Sequence, residues 1–510
     1  MAVETELKLR IAPEQLASLK RHALLKAYSV RRPVTRRLYN IYYDTPKLDL
    51  HRSEMALRLR HAGRQWLQTL KGGGSVQAGL HQRNEWEVPV SGPALDFSAT
   101  QTVEWDEHLP LSLRKKLRPV FVTDFFRNSR ILHWQGAQIE LCMDQGEIST
   151  AQLSMPVCEL ELELKSGEPQ RLFELALVLL DIVSFELEVV SKAEQGYRLM
   201  SGYAGHPVKG TVPALARTDP LAEVLKTLIW SCLQHFQNNV RVAMGSDDAE
   251  YLHQMRVALR RLRVVLRMAE KVLADEQLAG FKKDISFLGI ALGHVREWDV
   301  FIAQTVEPMC KRMAGHAGLQ DLRAVCLRQR ATSNEALRGE TQSRELQRLL
   351  LRIAIWMNGA YWQQSAWQQL EENVQRAQDF AIRRLTKLAK RFALAGQHLS
   401  TADAARLHAL RILAKKLRYS AEFFSVWYDK QKARSYLDSL SEVQDVLGQI
   451  NDIAVAHRLL DGLAADAALA EHLESVVLAK GWIAHDLSGQ LAALRKSMHN
   501  FNQQPVFWKR

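Results

Sequence analysis

Residues 3 to 9 read Val3-Glu4-Thr5-Glu6-Leu7-Lys8-Leu9, a run in which charged and apolar side chains alternate. A two-residue period is typical of a β-strand, so Glu4, Glu6 and Lys8 share one face. Two carboxylates on that face lie about 7 Å apart, which allows them to hold a divalent cation between them. The lysine beside them can bind an anion. A phosphate-cleaving site requires both a bound cation and an anion-binding group. The alternative is an ordinary solvent-facing strand surface.

Length and charge limit the classes of protein to consider. The chain has 510 residues, which is too long for one core and predicts at least two domains. The formal net charge of +12 and the isoelectric point near 9.4 favour polyanionic partners such as polyphosphate, nucleic acid or anionic lipid. Charges at the N-terminus argue against a signal peptide, and no uncharged apolar run is long enough to span a bilayer.

The five cysteines indicate the redox compartment. None of them has a C-x-x-C spacing, so neither a zinc site nor a disulfide framework is predicted. Unpaired cysteines are typical of a reducing compartment, and we therefore expect a cytoplasmic protein. The residues are Cys142, Cys158, Cys232, Cys310 and Cys326.

The first 200 residues contain many more alternating segments. After the first strand, a second predicted strand ends at Tyr42-Tyr43-Asp44-Thr45-Pro46. The other predicted strands are Met55–Arg60, Trp66–Lys71, Gln82–Val88, Val122–Ile131, Gln138–Asp144, Cys158–Leu164 and a last strand that carries Lys192. Helical spacing predicts helices at Pro13–Lys26 and Gln170–Val183. The glycines at 72–74 follow a strand and are interpreted as a hairpin turn.

The charges on these strands are segregated by sign. One strand carries Glu159, Glu161 and Glu163 without a base, and another carries Arg58 and Arg60 without an acid. Surface strands usually mix signs, because like charges on one surface repel one another. The charged faces either point to water around an apolar core, or line the inside of a closed barrel whose apolar outer face is covered by the two helices. Like charges in an interior require compensation, by metal ions for the glutamates and by phosphate for the bases.

Five motifs in this order resemble the CYTH domain of the triphosphate tunnel metalloenzymes, particularly the bacterial inorganic triphosphatases with a second, helical domain. They are Glu4-x-Glu6-x-Lys8, Tyr42-Tyr43-Asp44-Thr45-Pro46, Arg58-x-Arg60, Thr69-x-Lys71-Gly72 and Glu159-x-Glu161-x-Glu163. The resemblance covers residues 1–203 and implies an eight-stranded antiparallel barrel with flanking helices and a charged tunnel. This fold would make the N-terminal half an α+β domain.

The resemblance also implies roles for individual residues. Metal ligands would come from Glu4, Glu6, Glu159, Glu161, Glu163 and Asp144. Substrate-binding residues would be Lys8, Arg58, Arg60, Lys71, Arg83, Glu85, Arg127 and Lys192. Catalysis would rest on Glu4, Glu6, Lys8 and Asp144. The period of two does not choose which of the three glutamates at 159–163 contact the metal directly.

All candidate metal ligands are carboxylate oxygens, and this ligand type favours Mg²⁺ or Mn²⁺ over zinc. The chain has no Gly-x-x-x-x-Gly-Lys-Ser/Thr segment, which excludes a P-loop mechanism. Phosphoryl transfer needs charge neutralisation and in-line positioning more than covalent catalysis, and lysines and arginines on several strands can supply the neutralisation.

Residues 204–220 are rich in glycine and proline and predict a linker, after which the pattern is helical. The helical half contains a repeat. His253-x-x-Arg256-x-x-x-Arg260-Arg261-Leu262-Arg263 recurs 155 residues later as His408-x-x-Arg411-x-x-x-Lys415-Lys416-Leu417-Arg418, and Leu292-Gly293 recurs at the same offset as Leu447-Gly448. A constant offset across separate landmarks indicates a duplicated helical unit.

The repeated motif places basic side chains on one helix face. The set comprises His253, Arg256, Arg260, Arg263, His408, Arg411, Lys415 and Arg418. No acid lies between residues 253 and 269 or between 408 and 421, and like charges four residues apart cost a few tenths of a kcal/mol per pair. We therefore interpret the face as an anion-binding surface rather than a solvated helix face. A further basic helix carries Arg383, Arg384, Lys387, Lys390 and Arg391.

This half resembles the CHAD domain, a conserved-histidine helical module of two four-helix repeats that is often fused to CYTH domains. The resemblance covers residues 221–500 and implies that the basic set binds inorganic polyphosphate. Lysines stand at 415 and 416 where the first repeat has arginines. Because lysine lacks the bidentate guanidinium fork, the second face is expected to bind less specifically.

The sequence therefore predicts a metal-dependent inorganic triphosphatase that hydrolyses tripolyphosphate to pyrophosphate and phosphate, followed by an all-α domain that binds polyphosphate. The protein is expected in the cytoplasm, on polyphosphate granules if the helical domain localises it. Two alternatives remain. The same barrel could act on nucleoside or thiamine triphosphate, or form cyclic AMP from ATP. The chain could instead be a polyphosphate-granule scaffold without activity, and nucleic acid is a second possible polyanion. The sequence does not specify the oligomeric state.

Overall fold

A computed structural model describes residues 2–98, 103–202, 205–243, 246, 248–273, 275–359, 362, 377–397, 404–466, 469 and 472–509. The chain divides into two compact units. The first comprises residues 1–206 together with 342–361, and the second comprises 207–341 together with 362–510.

The first unit is built on one antiparallel sheet. Its strands are β1 (Ala2–Ile11), β2 (Val34–Asp44), β3 (Met55–Ala62), β4 (Gln65–Gln77), β5 (Leu80–Val90), β6 (Arg118–Trp134), β7 (Ala137–Ser149), β8 (Ser154–Ser166) and β9 (Phe185–Leu187). The order is β5-β4-β3-β2-β6-β7-β8-β1-β9, and β1 also pairs with β5. The pairings of β1 with β5 and β8 close eight strands into a barrel, as the resemblance to CYTH domains implied.

Short helices accompany the barrel. They are α1 (Pro13–Arg21), α2 (Ala23–Tyr28), α3 (Asp49–Arg52), α4 (Val103–His108), α5 (Leu111–Arg114), α6 (Gln170–Ile182) and α7 (Lys192–Ser201). Helix α6 packs against β1 and β8, and α1 packs against β8. The apolar positions of these strands, such as Leu7, Leu9 and Leu160, are fully buried on this side. The apolar face of the barrel is therefore its outer face, and the charged face is the inner one.

Three local predictions were wrong. The glycines at 72–74 lie inside β4, at an irregularity of its pairing with β5. Gly74 has φ of +101°, and a Cβ there would lie 1.9 Å from the carbonyl oxygen of Gln82, so these glycines permit close strand contact. The hairpin instead turns at Ala78 and Gly79, both with positive φ as a tight two-residue turn requires.

The second error concerns Lys192, which begins helix α7 instead of lying on a strand. Ser191 caps this helix, since its side chain accepts a hydrogen bond from the amide of Glu194 at 3.3 Å. The third is the helix predicted at Pro13–Lys26, which is interrupted at His22 and forms two short helices.

The second unit is helical. Its first group comprises α8 (Leu221–Ala243), α9 (Ala249–Ala269), α10 (Gln277–Phe301), a π-helical turn (Ile302–Val306), α11 (Glu307–Arg312) and α12 (Ala317–Thr341). Its second group comprises α14 (Ala377–Ala395), α15 (Ala404–Ser425), α16 (Lys430–Leu463) and α17 (Leu473–Asn502). Successive helices pack in the same order in both groups, α8–α9–α10–α12 and α14–α15–α16–α17. This order agrees with the predicted duplication.

One helix between the two groups, α13 (Arg344–Asn358), belongs to the first unit, where it packs against α6 and β9. The predicted division into 1–203, 204–220 and 221–500 did not anticipate it. Among the described residues, no helix is long and apolar enough to cross a membrane.

Candidate active site and anion-binding cavity

A cavity lies inside the barrel. The alternation of each strand directs every second side chain into it. Its lining comprises Glu4, Glu6, Lys8, Asn40, Tyr42, Ala56, Arg58, Arg60, Lys71, Arg83, Phe125, Arg127, Glu161, Ser191, Lys192 and Ala193. Most of the side chains predicted to bind substrate therefore line one cavity, with Glu85 just behind Arg58 and Lys71.

Glu161 is the centre of the ion-pair network in the cavity wall. Its carboxylate accepts hydrogen bonds from Lys8 at 2.5 Å, from Lys192 at 2.8 Å and from Arg127. Burial opposes the charge on Glu161, but Lys192, Lys8 and Arg127 outweigh it and hold the pKa of the carboxyl well below its usual range. Glu161 is thus ionised and fixes three cations around the cavity.

Asp144 and Glu159 support the same cations from behind. Arg127 donates two hydrogen bonds to Asp144, at 2.7 and 2.6 Å, and Lys192 lies 2.8 Å from the same carboxylate. Glu159 pairs with Lys192 at 2.7 Å and accepts from the side-chain amide of Gln195 at 2.8 Å. Both acids are buried and neither is part of the cavity lining. Their contacts hold Arg127 and Lys192 in position.

The bases on the opposite wall are held by fewer acids. Lys71 pairs with Glu4 and lies 3.2 Å from Glu85, which is 3.4 Å from Arg58. Burial disfavours the charge on Glu4, yet Lys71 outweighs it and lowers the pKa of this carboxyl.

Arg60 has a neutral partner, because its Nε donates to the side-chain oxygen of Asn40 at 2.8 Å. Burial, followed by repulsion from Arg58 and Arg127, lowers the pKa of Arg60 to about 10. Arg83 also lines the cavity, from β5 opposite Glu4. A bound anion would relieve the repulsion among these bases.

The carboxylates predicted as metal ligands do not form a cluster. Glu6 lies 2.8 Å from Lys8, Glu163 lies 2.6 Å from Lys165, and across the described residues no group of three or more His, Cys, Asp or Glu side chains is arranged to hold a metal ion. The donor chemistry nevertheless fits Mg²⁺ or Mn²⁺, since every donor is a carboxylate oxygen. Burial raises the pKa of Glu163, although its ion pair with Lys165 acts in the opposite direction.

Of the three glutamates between which the sequence could not choose, Glu161 alone is in the described cavity lining. Sequence reasoning missed Asn40, Tyr42 and Phe125, which also line the cavity. Tyr42 stacks on Phe121 with ring centroids 4.5 Å apart, and Arg58 helps to lower its pKa against the effect of burial. Asn40 and Tyr42 could have been found, because they share the inward face of an alternating strand.

A second cavity lies in the helical unit. Of the predicted basic set, the residues that line it are His253, Arg256, Arg260, Arg263, His408 and Arg411. Further lining residues that the sequence analysis did not select are His294, Arg296, His457, Arg458 and the acids Glu297 and Asp452. These acids come from α10 and α16, so the absence of acids within each motif did not mean that none faces it.

The last two members of the set have different surroundings. Arg418 pairs with Glu422 at 3.0 Å and lies 3.3 Å from Gln444, outside the cavity lining. Lys415 is beside Arg260, Arg411 and Arg256, and burial together with these charges lowers its pKa to about 6. The basic residues of the second motif therefore do not form one surface, because Glu422 compensates the charge of Arg418 outside the cavity.

The predicted additional basic helix is α14. Four of its bases, Arg383, Lys387, Lys390 and Arg391, are exposed. Arg384 is within 3.5 Å of the Ser420 hydroxyl, and burial and Arg267 lower its pKa to about 10. Burial lowers the pKa of Lys416, with contributions from Arg267, Arg391, Arg263 and Arg384. Basic residues of α9, α14 and α15 are thus close together on this side.

The two sites agree with the family comparisons. The CYTH domain model matches residues 2–197, and the CHAD domain model matches residues 227–461. The chain contains a CYTH domain and a CHAD domain. The barrel and its charged cavity lie in the CYTH match, and the helical repeat of basic motifs lies in the CHAD match.

Related proteins cover different parts of the chain. An inorganic triphosphatase of Haemophilus influenzae is 34% identical over 206 residues, which are 39% of this chain and 56% of that protein. This chain therefore spans about half the length of that relative. An uncharacterized Mycobacterium tuberculosis protein is 25% identical over 473 residues, covering 86% of this chain and 85% of its own. The crystal structure of the CHAD domain from Ricinus communis is 30% identical with a TM-score of 0.52, covering 59% of this chain and all of that one.

The pKa of Lys415 predicts a pH-dependent effect on stability. The folded chain holds this lysine neutral above about pH 6, whereas the unfolded chain keeps it protonated to about pH 10.5. The free-energy cost that Lys415 imposes on the folded state is therefore largest at low pH and decreases as the pH rises towards 10.5. We expect Lys415→Met to raise the melting temperature by a few degrees at pH 7 and by less at pH 9.5.

The matched control is Lys387→Met, which removes an exposed lysine from α14. Its effect on the melting temperature should be small and equal at both pH values. A stabilisation by Lys415→Met that does not change with pH would contradict the assignment.

Proposed function

We propose that the CYTH barrel hydrolyses inorganic triphosphate to pyrophosphate and phosphate with Mg²⁺ or Mn²⁺. The observation that carries the proposal is the charge of the cavity. Its described lining holds seven basic side chains against three acidic ones. Asp144, Glu159 and Glu85 compensate some of these bases from behind the lining. The remaining positive charge in a closed barrel suits a small, highly charged anion, and a linear triphosphate has that form.

The arrangement of the bases fits phosphoryl transfer. Lys8, Lys192 and Arg127 surround Glu161 on one wall, while Arg58, Arg60, Lys71 and Arg83 come from β3, β4 and β5. Bases on opposite walls can bind successive phosphoryl groups of one chain and hold the scissile bond in line with an attacking water. In phosphoryl transfer such positioning and neutralisation supply most of the catalysis.

Two groups of carboxylates have separate roles in this proposal. Glu4, Glu6 and Glu161, the carboxylates of the described cavity lining, would hold the divalent cation, which polarises the terminal phosphoryl group when bound. Asp144 and Glu159 keep Arg127 and Lys192 charged and oriented towards substrate. The low pKa of Asp144, which Arg127 and Lys192 cause against the effect of burial, supports this positioning role.

The lining also favours an inorganic substrate over an organic one. A nucleoside or thiamine group needs an apolar or aromatic surface to pack against. The Phe125 ring already has Lys192 Nζ 5.2 Å and Arg127 5.7 Å from its centroid, and Tyr42 is stacked on Phe121. The aromatic rings in the cavity are thus engaged by protein groups.

We propose a second function for the CHAD domain, the binding of inorganic polyphosphate. Burial, followed by repulsion from Arg260, lowers the pKa of Arg256 to about 9, and burial and Arg260 also lower the pKa of Arg411. These half-buried cations repel one another, so a polyanion that neutralises several of them at once gains that energy on binding.

The barrel proposal is tested with isosteric variants of the cavity carboxylates. In Glu6→Gln and Glu161→Gln we expect kcat/KM for tripolyphosphate to fall by about 10²-fold or more, because each removes a charge that holds cations of the site. Phosphate release with Mg²⁺ and with Mn²⁺ is the measurement. Glu147→Gln on β7, an exposed carboxylate outside the cavity, is the control and should retain full activity. Full activity in both cavity variants would refute the proposed site.

The polyphosphate proposal is tested by calorimetric titration with long-chain polyphosphate at fixed salt. Arg256→Gln combined with Arg260→Gln should weaken binding at least tenfold, because two bases of the cavity lining lose their charge. Arg434→Gln, an exposed arginine of α16 paired with Asp438 at 3.6 Å, is the control. Single-stranded DNA of equal charge serves as the competitor. Unchanged binding in the double variant, or tighter binding of the DNA, would contradict the proposal.

A further inference from the structure

Helix α13 is part of the barrel unit although it is encoded within the helical half of the sequence. The chain leaves the second unit after residue 341 and re-enters it at residue 362. Between these points α13 packs against α6 and β9. No motif in the sequence indicated this position.

The apolar face of α13 accounts for its attachment. Leu346, Leu350, Ile353 and Met357 are buried, at the three- and four-residue spacing of one helix face. Helix α6 buries a broad apolar face that includes Leu172, Leu175 and Leu180. One side of α6 meets β1 and β8, and α13 packs on another. Burial of this helix pair stabilises the outer layer of the barrel unit.

Three polar contacts fix α13 to the segment that joins α6 to α7. Arg348 binds Asp181 at 2.7 Å, at the end of α6. Arg344 Nε donates to the hydroxyl of Ser184 at 2.8 Å. The side-chain oxygen of Gln347 accepts a hydrogen bond from the backbone amide of Leu187 at 3.0 Å. Gln347 is 5% exposed, so this hydrogen bond is shielded from water.

The hydrogen bond between Leu187 and Gln347 gives a partner to a backbone amide on the edge of β9 that faces away from β1. On its other edge β9 pairs with β1, with Leu9 opposite Leu187, and the amide of Glu188 donates to the carbonyl of Lys8 at 2.8 Å. Because successive amides of a strand point in opposite directions, the amide of Leu187 points away from β1. Gln347 therefore acts as the next hydrogen-bonding partner of an edge strand.

The segment after β9 leads directly into the cavity. His81 Nε2 lies 3.1 Å from the carbonyl oxygen of Glu188, whose carboxylate accepts from the amide of Val190 at 2.9 Å. Ser191 and Lys192 follow and both line the cavity. Only four residues separate Leu187 from Lys192, so a displacement of β9 is transmitted to this lysine.

We propose that α13 is a positioning element of the barrel and that Gln347, through Leu187 and β9, holds Lys192 at its place in the cavity wall. This inference rests on the proposed triphosphatase function, because it assigns Lys192 to substrate. It also means that the CYTH domain takes a necessary part of its structure from the region between the two helical groups.

The test compares Gln347→Ala with Gln347→Glu in the full chain. A glutamate keeps an oxygen that accepts from Leu187, whereas alanine removes it. In Gln347→Ala we expect hydrogen–deuterium exchange in the peptide 185–190 to accelerate by about tenfold, while peptides of β3 exchange as before. The KM for tripolyphosphate should rise about threefold to tenfold with kcat changed less than twofold, since binding to Lys192 is weakened. Gln347→Glu should restore both values.

Glu345→Gln, an exposed change on the same helix, is the control for effects of altering α13 itself. The inference is overturned if Gln347→Ala keeps the exchange rate and KM of the wild type, or if Gln347→Glu behaves like Gln347→Ala. If the wild-type chain does not hydrolyse tripolyphosphate, the proposed function fails on its own. The exchange rates then decide separately whether Gln347 holds β9.

Discussion

The carboxylate of Glu161, buried among Lys8, Lys192 and Arg127, is the interaction on which the barrel site depends. Three cations can share an interior only if an anion compensates them, and removal of one member of such a network leaves the others unpaired. The closed sheet makes this arrangement possible, because it turns the charged face inward and leaves the leucines outside for the helices. Asp144 extends the network to a second layer that is fully buried.

The two units differ in how far their positive charges are compensated by carboxylates. In the barrel most bases are matched with carboxylates, and the excess is concentrated in one cavity. In the helical unit the bases of α9 and α15 are matched sparsely, and their lowered pKa values reflect both burial and mutual repulsion. The first environment suits chemistry on a short anion held in one geometry, and the second suits binding of a long one.

A period of two predicted which side chains share a face, and the segregated signs left both a solvent-facing and an interior charged face open. The closed barrel was implied by the resemblance to CYTH domains. The predictions from sequence were wrong where contacts between distant segments determine the local structure. Gly72 to Gly74 serve strand contact instead of a turn, and Ser191 starts a helix at Lys192. Contacts between distant segments, such as Glu297 and Asp452 with the basic motifs or Gln347 with Leu187, leave no periodic signal in either segment.

The most direct test of the central claim is the substrate preference of the intact wild-type chain. Phosphate release is measured from tripolyphosphate and from ATP at equal concentrations with Mg²⁺ or Mn²⁺. A cavity lined by fixed charges, with its aromatic rings engaged by protein groups, predicts that kcat/KM for tripolyphosphate exceeds that for ATP by at least about tenfold. Equal or faster hydrolysis of ATP, or no hydrolysis of either compound, would contradict the account.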